Sequence, residues 1–189
     1  MKLYLFVFLF LTSLSITAQQ LKKNGDNYEI KYKKKSKYPM GPELGSKIPI
    51  KENLKDIYGN TISISELESG ITVLNFWFIG CKGCKMEEPN LKELSSYFSD
   101  NSNIKFVSIC RSSSDLIHSY YTKYGEFGYK TVSVERPYVI DNFNIVGFPT
   151  QLYYVNGILK DKTSGAMNEE YHLEWMKNYL EKQIKENTL

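Results

Sequence analysis

Side chains that bind metals are scarce in this chain. It has three cysteines and two histidines, His118 and His172, which lie far apart in sequence. A structural zinc site draws on four ligands, usually a second C-x-x-C or a close histidine pair, and neither is present. Excess charge is missing as well. A net +3 is too mild to point to nucleic acid, and no such partner is expected. The one dense basic run, Lys31 to Lys37, holds five lysines. Tyr28, Ile30 and Tyr32 alternate with polar residues beside it, the period of a strand with a solvated lysine face. There is no internal repeat and no low-complexity segment.

Long hydrophobic runs are also lacking. The apolar segment from Leu3 to Leu14, preceded by Lys2 and followed by Ser15-Ile16-Thr17-Ala18, is short for a membrane span, and Ala18 is the small residue a signal peptidase needs. Residues 1–18 therefore read as a cleaved secretory signal, with an uncleaved membrane anchor as the alternative. No cysteine precedes Cys81, so no lipoprotein attachment site is available. About 170 residues remain, room for one domain with a proper core. Residues 19–46 are of mixed polarity and end in Pro39, Gly41, Pro42 and Gly45. They read as an extension and linker ahead of a domain spanning residues 47–187.

What the chain does have is concentrated between Ile71 and Pro89. The apolar run Ile71 to Ile79 reads as a strand buried on both faces, interrupted by Gly80. Cys81 and Cys84 follow, spaced C-x-x-C, and then a helical pattern from Lys85 to about Phe98. The pair thus sits at a strand-to-helix turn. The first turn of a helix leaves backbone N–H groups unpaired and carries the positive end of the macrodipole. In C-x-x-C motifs at such positions the thiol pKa falls from roughly 8.5 to between about 3.5 and 7.5. Cys81, nearer the helix start, is the better attacking thiolate, and Cys84, one turn in, is placed to resolve the mixed disulfide. A zinc half-site and an inert structural disulfide are the competing readings.

Trp77, Cys81, Cys84, Lys85, Glu87 and Pro89 fall in the pattern W-x-x-x-C-x-x-C-K-x-E-x-P, and Gly147-Phe148-Pro149-Thr150 comes later. Together these motifs resemble the thioredoxin-like superfamily, and specifically exported TlpA/ResA-like thiol-disulfide oxidoreductases, over roughly residues 45 to 185. The resemblance implies an α/β thioredoxin-like fold, a central mixed β-sheet with helices on both faces and an N-terminal β-hairpin. It implies a cis Pro149 against the cysteines, with Trp77, Phe148, Pro149 and Thr150 at the substrate. A cis proline exposes the preceding backbone, here Phe148, to pair with an extended client. Glu87 holds the place of the glutamate that such proteins carry three residues after the second cysteine. It is expected to take the proton of Cys84, with Glu88 as a solvated neighbour. Asn75 stands where thioredoxin has an aspartate and cannot titrate. Gly80 replaces a bulky residue and implies a more open site, and Lys82 adds positive charge between the sulfurs.

The implied activity is disulfide exchange with exported proteins, without a cofactor beyond the Cys81–Cys84 pair. The direction implied is reduction. Electrons would come from a membrane thiol carrier, the protein acting as a monomer in the periplasm or another extracytoplasmic space, with cytochrome c maturation as one setting. Three other activities compete: an oxidant that introduces disulfides; a copper chaperone, since thiolates bind Cu(I); and a peroxidase, although Phe78 stands where peroxiredoxins usually carry a threonine.

Elsewhere, Ile48 to Glu68 reads as two short strands around Tyr58-Gly59-Asn60 and a helical turn. Ile104 to Cys110 reads as a second buried strand, parallel to the first through a right-handed crossover. Cys110 at its end is expected to be a buried structural thiol. Asp115 to Tyr124 reads as a helix carrying His118, with Tyr120, Tyr121, Tyr124 and Tyr129 forming a partly buried aromatic face. Tyr129 to Val134 reads as a strand, Pro137 to Phe143 as a helix, and Asn156-Gly157 as a hairpin turn. Asn168 is the expected cap of a last helix running to about Lys185.

Overall fold

The structure is a computed structural model and describes residues 20–24, 27–31 and 40–187. The expected signal segment and most of the lysine run lie outside the described residues. Strands β1 (Gln20–Asn24) and β2 (Asn27–Lys31) pair antiparallel as a separate hairpin. A second hairpin follows, β3 (Leu54–Lys55) with β4 (Thr61–Ile62), leading into the single turn α1 (Ile64–Leu67) capped by Ser63.

The domain is built on a five-stranded sheet of β5 (Ile71–Trp77), β6 (Ile104–Cys110), β7 (Lys130–Ser133), β8 (Thr150–Val155) and β9 (Ile158–Ser164), in the order β7-β6-β5-β8-β9. The first three strands are parallel and the last two antiparallel. This is the mixed sheet of a thioredoxin-like fold. Every residue of β5 is buried, as its apolar run requires of a central strand covered on both sides.

Helices α2 (Lys82–Tyr97) and α5 (Glu170–Glu186) cover one face, placing Leu91, Leu94, Trp175, Met176 and Leu180 against Val73 and Tyr153. On the other face α1, α4 (Arg136–Phe143) and the β3–β4 hairpin bury Leu74, Phe76, Ile109 and Leu152 under Ile62, Leu67 and Phe143. Helix α3 (Ser114–Tyr124) closes the end of the sheet where β5 and β6 finish. Ile48 and Ile50 belong to the core, and Gly41, Gly45 and Ile48 bond to Asn144, Leu159 and Gly157. Residues 40–50 are thus fastened to the domain.

Two boundaries differ from expectation. The α2 helix starts at Lys82 rather than Lys85, because Cys81 itself is the N-cap. Glu169, not Asn168, caps α5, its backbone N–H donating to His172 Nδ1 at 3.1 Å. This gives His172 a structural role as the return partner of a capping box.

One row of the sheet breaks the apolar pattern. Thr131, Ser108, Asn75, Gln151 and Thr163 are register partners across all five strands, and all are buried. Side chains alternate along a strand, so Asn75 shares a face with Val73 and Trp77, the α2 side of the sheet. Such groups need partners inside the protein. Ser108 accepts from the Trp77 indole and Thr131 meets the Tyr121 hydroxyl at 2.6 Å, whereas neither polar side-chain atom of Asn75 has a hydrogen-bond partner among the described residues.

Candidate active site

The site forms where β5 ends. Gly80 has φ of +96°, a backbone that side chains with a Cβ rarely adopt, so the turn into α2 itself asks for glycine there. Its neighbour Cys81 is half-buried and Cys84 is buried, and the two are joined in a disulfide with their Cα atoms 5.3 Å apart. Cys81 Sγ accepts the backbone N–H of Cys84 at 3.2 Å. The more exposed sulfur therefore occupies the capping position of the helix, where a developing thiolate gains from the free N–H groups and the macrodipole.

Opposite the pair, the Phe148–Pro149 bond is cis. The Pro149 ring lies so close that a Cβ on Gly83 would stand 3.1 Å from Pro149 Cδ. Among the described residues no hydrogen bond engages the backbone of Phe148, which leaves it open to an extended partner. The Phe148 ring meets Phe78 edge-on at 5.3 Å, and the Arg111 guanidinium lies over both rings. Thr150, expected at the substrate, is fully buried and donates to Gly147 O at 3.0 Å. Its hydroxyl braces the proline turn from inside and cannot touch a client.

On the other side of the sulfurs is a pocket of about 250 Å³, lined by Trp77, Phe78, Gly80, Lys82, Lys85, Tyr120 and Tyr124 together with both cysteines. Trp77 is only 2% exposed and forms the pocket floor, stacked on Tyr121, tilted against Tyr120 and edge-on to Phe127. The tyrosines divide. Tyr121 packs in the core, whereas Tyr120 and Tyr124 form the pocket wall with Lys85 Nζ over their rings. Lys82 is exposed beside them.

Glu88 is not the solvated charge expected. It is 4% exposed, and its carboxylate accepts from Lys92 at 2.8 Å, Tyr120 at 2.6 Å and Lys85 at 3.2 Å. Burial pushes its pKa up, but these bonds outweigh burial and hold it below the ordinary glutamate value. The helical pattern around Glu88 carries no sign that Tyr120 of α3 closes over it.

Glu87 is fully buried, one helical turn beyond Cys84. Gln151 Nε2 donates to both carboxylate oxygens at 2.8 Å, and the Met167 N–H to Oε2 at 3.2 Å. Burial pushes its pKa up to about 8, against the lowering effect of these bonds. Gln151 and Gly83 went unnoticed in the sequence. For Gln151 a signal existed, a lone amide in the apolar run after Thr150. For Gly83 there was none.

Cys110 is fully buried behind Trp77, and burial pushes its thiol up to about 12 despite bonds from Ser112. His118 sits against the Tyr58 ring. Among the described residues no three His, Cys, Asp or Glu side chains are grouped to hold a metal.

A mixed sheet of this order, a C-x-x-C pair capping the helix after the central strand and a cis proline facing it define a thioredoxin-like thiol-disulfide oxidoreductase. The chain belongs to the AhpC/TSA family, which matches residues 44–174. It is 23% identical to the thioredoxin-like protein YneN of Bacillus subtilis, over 74% of this chain and 82% of that protein. It is 26% identical to the thiol-disulfide oxidoreductase ResA of Halalkalibacterium halodurans, over 65% of this chain and 70% of that protein. The thioredoxin domain of a thiol-disulfide oxidoreductase from Bacteroides vulgatus shares the fold, with a TM-score of 0.61 at 21% identity over 75% of this chain and 97% of that chain.

Proposed function

We propose that this protein is an exported reductant of protein disulfides. The reduced Cys81 thiolate attacks one sulfur of a client disulfide, and the other client sulfur leaves as a thiolate. Cys84 then gives its proton to the Glu87 carboxylate and attacks Cys81 Sγ, expelling the second client sulfur and closing the Cys81–Cys84 disulfide. The client gains the two electrons that the dithiol loses. A membrane thiol carrier would restore the dithiol, and no cofactor takes part.

The observation that carries this reading is the placing of Cys81 Sγ at the helix cap while Cys84 stays buried one turn in. Only one sulfur meets a client, and the other has a buried carboxylate on its own helix face. The client lies as an extended segment along Phe148 and Pro149, its side chains entering the pocket walled by Tyr120 and Tyr124. Export rests on the N-terminal segment, and the extracytoplasmic setting follows from where disulfides must be managed.

The test is the equilibrium reduction potential of the Cys81–Cys84 pair in a Cys110→Ser protein. A value near or below thioredoxin's, about −270 mV, supports the reductant. A value near the strong oxidants, about −120 mV, would overturn it in favour of disulfide introduction. Stopped-flow resolution of a mixed disulfide on Cys81 tests Glu87 separately. Glu87→Gln should slow it by about a hundredfold, the usual scale for losing a general base.

A further inference from the structure

Each oxygen of the Glu87 carboxylate is met by a donor. Gln151 Nε2 reaches both oxygens and the Met167 N–H holds Oε2, a surround that suits the anion. The groups facing it are few: Cys84 on its own helix, the Tyr129 phenol from the β7 side, Gln151 from β8 and Met167 from the segment before α5. Glu88 next to it is occupied by Lys85, Lys92 and Tyr120. No lysine or arginine pairs with Glu87. When the carboxylate takes a proton, its new O–H meets either the Gln151 N–H or no acceptor among these partners, in a fully buried site. That costs the desolvation of an unmatched polar group.

We propose that Gln151 is a positioning residue that turns its amide over each time Glu87 gains or loses a proton. In the charged state its N–H groups donate to the carboxylate, while its Oε1 accepts the Thr163 hydroxyl. In the neutral state the proton sits on Oε1 of Glu87, since Oε2 remains engaged by Met167. The amide turns by half a revolution, so that Gln151 oxygen accepts the acid O–H and its N–H groups face Thr163. The Thr163 hydroxyl can accept as readily as donate, so it follows. Gln151 Nε2 lies 2.8 Å from both carboxylate oxygens, so the amide oxygen that replaces it shifts toward the protonated Oε1 and away from Oε2, a movement of the side chain alone. A cation at this position would hold Glu87 charged, and an aliphatic residue would hold it neutral. An amide matches both states, which a group that must accept and release a proton in every cycle requires.

The proposal rests on Glu87 accepting the Cys84 proton, and two readouts separate the two ideas. In the wild-type oxidised protein, labelled with 15N and 13C, the Glu87 carboxyl carbon is followed with pH alongside the Gln151 side-chain amide. The expected result is that the Gln151 Hε2 protons gain contacts to the Thr163 methyl below the Glu87 midpoint and lose them above it, and that this step vanishes in Glu87→Gln. Unchanged Hε2 contacts across the Glu87 titration would overturn the amide reversal. In kinetics, Gln151→Met should shift the pH profile of mixed-disulfide resolution upward by about one unit and slow it about tenfold near neutral pH. A profile superimposable on wild type, with only thermal stability lowered, would also overturn it. If Glu87→Gln itself leaves resolution unchanged, the proton-acceptor reading fails whatever Gln151 does.

Discussion

At the residue scale, the spacing between the cysteines is filled by two residues of opposite behaviour. Lys82 extends into solvent, whereas Gly83 faces inward and touches the proline ring. A methyl at Gly83 would sit 3.7 Å from Ala166 Cβ, an ordinary contact, but 3.1 Å from Pro149 Cδ, tighter than van der Waals packing allows without a shift, so the ring or the helix start must give. Gly83→Ala should therefore slow exchange with a protein disulfide by about tenfold or more through misplacement of Phe148 relative to Cys81. Small thiols, which need no strand pairing, should be much less affected. Stopped-flow rates with both kinds of substrate check this. Cys110 gives a second residue-scale expectation. Its burial and raised thiol pKa remove both access and thiolate. Iodoacetamide on the folded, reduced protein should leave Cys110 unmodified, and on the unfolded protein should modify all three thiols, as read by mass spectrometry.

At the scale of elements, turns and caps decide the geometry. The β8–β9 hairpin places Asn156 and Gly157 at φ of +48° and +73°, the type I′ arrangement that favours Asn-Gly. Asn156 Oδ1 also accepts the Gly70 N–H at 3.0 Å, tying the hairpin to the start of β5. Asn156→Ala loses the tolerance for the left-handed backbone and leaves that N–H without its acceptor. It should cost about 1–2 kcal/mol, measurable by urea unfolding, with the reduction potential unchanged.

This turn was legible in the sequence, as were β6 to the residue and the helix after the cysteines, because local chemistry specified them. The polar side of the site was not. Glu87 and Glu88 are adjacent glutamates with similar sequence surroundings, yet one faces Gln151 across the sheet and the other three donors from α2 and α3. Only the long-range pairing of Asn75 with Gln151, and the docking of α3, tell them apart. Tyr120 and Tyr124 were likewise indistinguishable from the core residue Tyr121 until α3 had a defined face toward the disulfide. The burial of the Thr150 side chain was hidden too, because a motif marks a stretch of chain and not which way a side chain points.

At the scale of the whole molecule, the buried Glu87 carboxylate ties the proposed proton transfer to folding. Glu87 has its pKa raised to about 8 in the folded protein by burial, against the bonds from Met167 and Gln151, while the unfolded chain presents an ordinary glutamate near 4.3. Between these values the folded state holds a proton that the unfolded state has released. Stability from this group is thus complete below about pH 4.3 and is lost as pH rises toward about 8, at a slope of up to about 1.4 kcal/mol per unit. Glu88, with its lowered pKa, acts in the other sense and only at lower pH, where protonating it loses stability. His172, lowered by burial against the pull of Glu169, also opposes Glu87, because the unfolded chain protonates it more readily. A wild-type profile alone would therefore mix signs. The difference between wild type and Glu87→Gln isolates the term, since Glu88 and His172 are common to both. Urea unfolding of the two oxidised proteins between pH 5 and 8 should give a stability difference that moves against wild type with rising pH and levels off above about 8. A difference independent of pH would mean that Glu87 is already ionised across this range, and would remove the raised affinity for a proton on which its part in resolving the disulfide depends.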